Sequence, residues 1–237
     1  MKSKIPTILG LFILLTATGS TLFAIKNFQG ISTNAEISVA PIDVRITNVK
    51  DTSFTVNWIT DKPSIGFVSY SSNSNIDTER TPNEITHSIT IQNLNPSTLY
   101  SFKINSNGQF FQNNNSPWQI QTHTTNFSSD VTVVSGQILN ANNLPAKNAL
   151  VYIETGSSTY SSQVSISGNW VITLPSLSEN TILNILVENS SSETASAKIN
   201  IKNANPTPVI KLGNSYDFSG QSEESSQINP TEVIQLP

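Results

Sequence analysis

Cysteine is absent from this chain of 237 residues. That excludes disulfides, thiolate metal sites, a cysteine nucleophile and attachment through a lipidated cysteine, so any folded part is held by packing alone. Charge is also scarce. Asp, Glu, Lys and Arg make up 12 % of the residues, and the formal net charge is −4. No Lys/Arg cluster is present to neutralise phosphates, which disfavours nucleic acid as a partner. The histidines are His87 and His123. They fall on different expected strands with no His or Asp at ligand spacing, so no metal site is expected. Both read as exposed or rim residues of strands. There is no G-x-S-x-G elbow, P-loop, dinucleotide glycine pattern, H-E-x-x-H pair or D-x-D-x-D calcium loop. Asp43, Asp51, Asp61, Asp77 and Asp130 are single acids, mostly near turns, where caps and solvent faces account for them. The expectation is a chain that is not an enzyme and carries no cofactor.

What the chain does have begins at its start. Lys2 and Lys4 precede an uncharged run from Ile5 to Ile25. About 20 apolar residues cross a bilayer as a helix, so the run is long enough. The lysines favour a cytoplasmic start with the remainder exported. Two readings compete. Residues 1–25 are a retained signal anchor, giving a single-pass membrane protein with an extracellular C-terminal region. Alternatively they are a signal peptide cleaved after Ala17-Thr18-Gly19, giving a secreted protein. A buried helix is disfavoured because the run has no polar face. Residues 26–40 read as a polar linker.

From Pro41 the pattern alternates. Ile42, Val44 and Ile46 share one face of a strand, and Phe54, Val56 and Trp58 share one face of the next. Asp61-Lys62-Pro63 is expected to break that strand, since proline cannot donate to a ladder. Val68 and Tyr70 mark a third strand and Ile89 and Ile91 a fourth. Leu94-Asn95-Pro96-Ser97-Thr98-Leu99-Tyr100 reads as a corner closed by a tyrosine. Tyr100, Phe102 and Ile104 follow, then a loop-rich stretch over 106–117, then Trp118, Ile120 and Thr122. About seven strands with turns at this spacing indicate a β-sandwich over 41–125. This region resembles a fibronectin type III domain, with an immunoglobulin-like sandwich. The resemblance rests on Phe54-Thr55-Val56-Asn57-Trp58-Ile59-Thr60, Gly66-Phe67-Val68-Ser69-Tyr70 and Leu94–Phe102. It implies that Trp58 anchors the core and that the Tyr100 hydroxyl returns to upstream backbone.

Residues 126–130 read as a hinge. A second alternating set follows over 131–212: Val134, Gly136 and Ile138, then Ala149, Val151 and Ile153. Ser165–Ile172 reads as a hairpin around Gly168-Asn169. Ile182–Val187, Ala195–Ile201 and Val209–Leu212 complete the set. Ser135-Gly136-Gln137-Ile138, Pro145–Val151 and Ser167-Gly168-Asn169-Trp170 give it a resemblance to a carboxypeptidase regulatory-like domain, of transthyretin-like fold. It departs from that family around Ile166, where Ser165 and Ser167 stand in place of an acidic residue. The family association does not confer peptidase chemistry. Residues 213–237 are acidic through Asp217, Glu223, Glu224 and Glu232, and are expected to be a disordered tail. No sortase signal follows Leu236-Pro237, so wall attachment is not expected.

The fold expectation is therefore all-β: two tandem sandwiches after a transmembrane helix, as in bacterial cell-surface proteins. Phe110 and Phe111, in an Asn-rich hairpin region, and Trp170, beside Gly168-Asn169, are the candidate ligand or partner contacts. Solvent-facing rings there could anchor a protein or stack on a glycan. The plainer reading places Trp170 and one of the two phenylalanines in a core. The expected role is a membrane-tethered extracellular scaffold, spacer or adhesion module. The alternative is a carbohydrate-binding accessory module of an extracellular hydrolase system.

Overall fold

Phe54, Val56 and Trp58 are fully buried, because a strand turns every second side chain to the same face. The computed structural model describes residues 39–71, 74–125 and 130–220. The expected membrane helix, the linker through residue 38, the hinge at 126–129 and the tail beyond 220 lie outside the described residues. Among the described residues no helix is long and apolar enough to cross a membrane.

The first sandwich contains β1 (Ile42–Thr47), β2 (Phe54–Ser64), β3 (Gly66–Ser71), β4 (Asn75–Asp77), β5 (Glu84–Ile91), β6 (Leu99–Ser106), β7 (Gln109–Phe111) and β8 (Trp118–Gln121). One antiparallel sheet runs β1-β2-β5 and the other β4-β3-β6-β7, with β8 also paired to β6. Their inward faces close one core around Trp58, Val68, Ile91, Phe102 and Ile104. Trp58 fits because Gly66 has no side chain: a Cβ there would lie 2.6 Å from Trp58 Cζ2. The expected corner is present, with the Asn95 N–H donating to the buried Tyr100 hydroxyl at 2.9 Å.

Two local expectations fail here. The strand does not end at Asp61-Lys62-Pro63. It continues to Ser64 through a register shift between Ile59 and Ser64, and in such a bulge a missing N–H removes no ladder bond. The stretch over 106–117 read as loop-rich also holds the short strand β7, and the short strand β4 lies between β3 and β5.

The second sandwich contains β9 (Val131–Leu139), β10 (Leu150–Thr155), β11 (Ser158–Gln163), β12 (Asn169–Pro175), β13 (Ile182–Glu188), β14 (Thr194–Asn200), β15 (Ile210–Lys211) and β16 (Ser215–Phe218). Its sheets run β11-β10-β13-β14-β16 and β12-β9-β15. The turn before β12 is real: Gly168 has φ +85° and donates to Ser165 O at 3.0 Å. It is not a hairpin. β12 crosses to the opposite sheet and pairs with β9, which puts Trp170, Ile172 and Leu174 into the core. The expected tail also starts too early. Ser215–Phe218 lies parallel to β14, and Tyr216 and Phe218 stack on each other and pack against the core. Their two-residue period is hidden in a segment whose average composition is polar.

β10 is covered on both sides. Val151 and Ile153 face the second core. Leu150 and Tyr152 face the first sandwich, where they cluster with Ile59, Ile85 and Leu186. Polar bonds join the same two faces. Thr47 Oγ1 lies 2.6 Å from Ser161 Oγ, and Asn57 Nδ2 donates to that Ser161 oxygen at 3.0 Å. The Asn48 side chain donates to Ser161 O and accepts from Ser161 N–H, both at 3.0 Å. Thr86 Oγ1 donates to Asn148 O at 2.8 Å. The two sandwiches are thus docked sheet face to sheet face.

Candidate functional site

Trp170, a candidate platform in the sequence, is 4 % exposed and belongs to the second core. The reason is its pairing opposite Gly136. A Cβ on Gly136 would collide with Thr207 Oγ1 and lie 3.0 Å from Trp170 Nε1, so the glycine makes the space the indole occupies. Phe110 and Phe111 separate as alternation requires. Phe111 lies opposite Ile104, whose side chain is in the core, and is half-buried. Phe110 lies opposite Asn105 on the outer face and is 52 % exposed.

The register of the outer face shows what surrounds Phe110. Its ring meets Phe67 edge-on, with centroids 5.9 Å apart and an interplanar angle of 86°. The Arg80 guanidinium sits 5.0 Å from the centroid of the same Phe67 ring. Along the sheet, Ser69 is opposite Asp77 on one side and Lys103 on the other. Ser71 is opposite Asn75 and Ser101, and Ser101 is opposite Gln119. Ser69, Ser71, Asn75, Ser101, Lys103 and Phe110 line a cleft of about 270 Å³. The arrangement offers an apolar plate beside hydroxyl and amide groups that both donate and accept, plus one ammonium. These polar residues were legible as the positions alternating with Val68, Tyr70, Tyr100 and Phe102. Isolated serines on a strand carry no motif that would mark them as a site.

The perturbed titratable groups lie elsewhere. At the joint, Arg45 bonds Asp43 and Glu188, each at 2.8 Å, and its guanidinium lies 4.6 Å from the Tyr152 ring centroid. Burial, and then a hydrogen bond with Asp43, push Glu188 up to about 7, against the pull of the Arg45 charge. Burial also raises Asp43, but hydrogen bonds with Arg45 and Glu188 outweigh it and leave this carboxyl below the usual aspartate value. The two carboxyls on Arg45 are thus pushed in opposite directions, Asp43 down and Glu188 up. Burial, reinforced by the Glu188 charge, raises the Tyr152 phenol. The expectation for His87 is corrected as well. It is 1 % exposed, stacked on Trp58 at 4.7 Å, with Nε2 3.1 Å from Ser64 Oγ and Nδ1 2.9 Å from Thr81 Oγ1. Burial pushes its pKa down to about 4. Among the described residues no group of three or more His, Cys, Asp or Glu side chains could hold a metal ion.

No curated protein matches the chain. Among solved structures, the chain is similar to the sensor domain of the anti-sigma factor RsgI4 of Pseudobacteroides cellulosolvens, with 20 % identity, 37 % of this chain and 96 % of that one covered, and a TM-score of 0.29. It is also similar to a segment of two fibronectin type III domains from chicken tenascin, with 16 % identity, 68 % and 98 % covered, and a TM-score of 0.27. For the FN1–FN3 domains of chicken CNTN1 the values are 15 %, 75 % and 66 % covered, and 0.28. The family model described as Fibronectin type III domain matches residues 39–133. Taken with the sheets β1-β2-β5 and β4-β3-β6-β7 and the bonded tyrosine corner, that match identifies residues 39–133 as a fibronectin type III domain.

Proposed function

We propose that the chain is a non-enzymatic scaffold or spacer of the bacterial cell surface, tethered by residues 1–25 and projecting its two sandwiches outward as one rigid unit. The observation that carries this reading is the joint. The perturbed groups Asp43, Arg45, Tyr152 and Glu188 converge there, and the neighbouring Thr47, Asn48 and Asn57 bond Ser161 across it. A spacer needs such a fixed angle between modules, whereas a catalyst needs perturbed groups open to a substrate. In this reading the second sandwich is the carboxypeptidase regulatory-like module, acting structurally. The test is fractionation of the native protein with N-terminal sequencing and protease treatment of intact cells. The full chain is expected in the membrane fraction, with residues beyond 38 cleaved from outside. A soluble form starting near Ser20 would remove the tether.

A second reading rests on a different observation. Phe110 is exposed beside a polar cleft, and an aromatic ring flanked by hydroxyl and amide groups suits a sugar ring. Here the fibronectin type III domain is a carbohydrate-binding module of a surface hydrolase system. Retention of the full chain on a polysaccharide, lost in Phe110→Ala, supports it.

A further inference from the structure

The register of the outer face adds a charge pattern to the aromatic plate. Lys103 projects between Ser69 and the Phe110 end of the sheet. It has no salt bridge among the described residues, although Arg45, Lys147 and Lys202 each have one. The side chains of Ser69, Ser71, Asn75 and Ser101 likewise form no hydrogen bond among the described residues. By contrast Thr47, Asn48 and Asn57, on the face covered by the second sandwich, all bond Ser161 of that sandwich. The open face therefore has donors and acceptors in two adjacent rows, an apolar plate at one end and a lysine ammonium beside that plate. Arg80 adds positive charge behind Phe67 at the same end. The acid of this face, Asp77, lies on the far side of Ser69 from Lys103.

We propose that this face binds a glycan chain bearing carboxylates, such as a uronate polymer. One sugar ring stacks on Phe110, its carboxylate meets Lys103, and the hydroxyls of the next residue meet Ser69, Ser71 and Ser101. Neutral sugars use the plate and the hydroxyls but leave the ammonium without a partner, so the lysine supplies the selectivity. A charge-assisted bond at a rim is sensitive to salt, so binding weakens as ionic strength rises. The proposal rests on the carbohydrate-binding reading and names the ligand class for it.

The experiment uses the full chain in non-ionic detergent, presented to immobilised polygalacturonate, alginate and hyaluronate. Fully methyl-esterified polygalacturonate and dextran serve as neutral counterparts. The esterified polymer keeps the backbone and removes the charge. Binding to the acidic polymers is expected to exceed binding to the ester by about tenfold or more, the equivalent of one charge-assisted contact. Lys103→Gln should erase that preference, and Phe110→Ala should weaken all binding, both with an unchanged thermal midpoint. Equal affinity for the acid and its ester, still lost in Phe110→Ala, overturns the charge selectivity and keeps the carbohydrate reading. No binding to any of the five polymers overturns both.

Discussion

Three residues of the first sandwich carry testable energetics. Tyr100 is a clamp: its hydroxyl accepts the Asn95 N–H at 2.9 Å in a buried corner. Tyr100→Phe leaves that N–H unpaired and should cost about 1 kcal/mol or more, read as a lower urea midpoint with glycan binding unchanged. Gly66→Ala would drive a Cβ to 2.6 Å from Trp58 Cζ2, and overpacking of that kind costs about 1–3 kcal/mol. His87 gives a pH signature. Its folded pKa is about 4, below the ordinary imidazole value of 6.5, so the folded state prefers the neutral ring. Its contribution is complete above the unfolded value and is lost as pH falls from there through about 4. The midpoint of the wild type should therefore drop more steeply between neutral and acid pH than that of His87→Gln. Equal slopes would show that the ring does not titrate in the core.

Strands were legible where one face is apolar and the other polar, and least legible where that rule is broken. Phe54, Val56 and Trp58 marked β2 without ambiguity, as Val134, Gly136 and Ile138 marked β9. β11, Ser158–Gln163, has no apolar alternation and went unread; it is held by pairing with β10 and by the Asn48 and Thr47 contacts to Ser161. The joint has a signal in the sequence. Leu150-Val151-Tyr152-Ile153 is apolar without interruption, which in a strand means cover on both faces. Ile59, on the polar side of β2, meets Leu150 and Tyr152 for the same reason. Arg45, Asp43 and Glu188 could not be brought together by any local pattern, because β1 and the end of β13 are distant in sequence. Their pairing predicts how the joint responds to pH. Glu188 is raised from 4.5 to about 7, so the docked state binds its proton more tightly than the free state. That contribution is full below the lower value and is lost as pH rises through the upper one. Small-angle scattering should show the docked dimensions near pH 5 and a broader distribution towards about pH 9. Glu188→Gln, which keeps a neutral side chain, should remove the difference. A pH-dependent change that persists in Glu188→Gln would place the titrating group elsewhere.

Docking of two sandwiches has a consequence for the unfolding of the chain. Burying a side chain the size of Leu150 or Ile59 contributes about 1.5–3 kcal/mol, and the joint buries several of them. Small domains are stable by only about 5–15 kcal/mol, so an interface of this kind is a large fraction of either module's own stability. Loss of one module exposes Tyr152 or Ile59 to water and removes the ion-pair partner of Glu188 or Arg45, which destabilises the other. The two modules should therefore unfold in a single calorimetric transition. Tyr152→Ala removes the ring that packs under Arg45 and beside Ile59 while leaving Val151 and Ile153 to hold the second core. It should split the endotherm into two, each matching one isolated sandwich, with Phe110-dependent binding retained because the cleft lies on the opposite sheet of the first. Two transitions in the wild type would mean that the modules behave as independent beads, and the rigid-spacer reading would fall with that result.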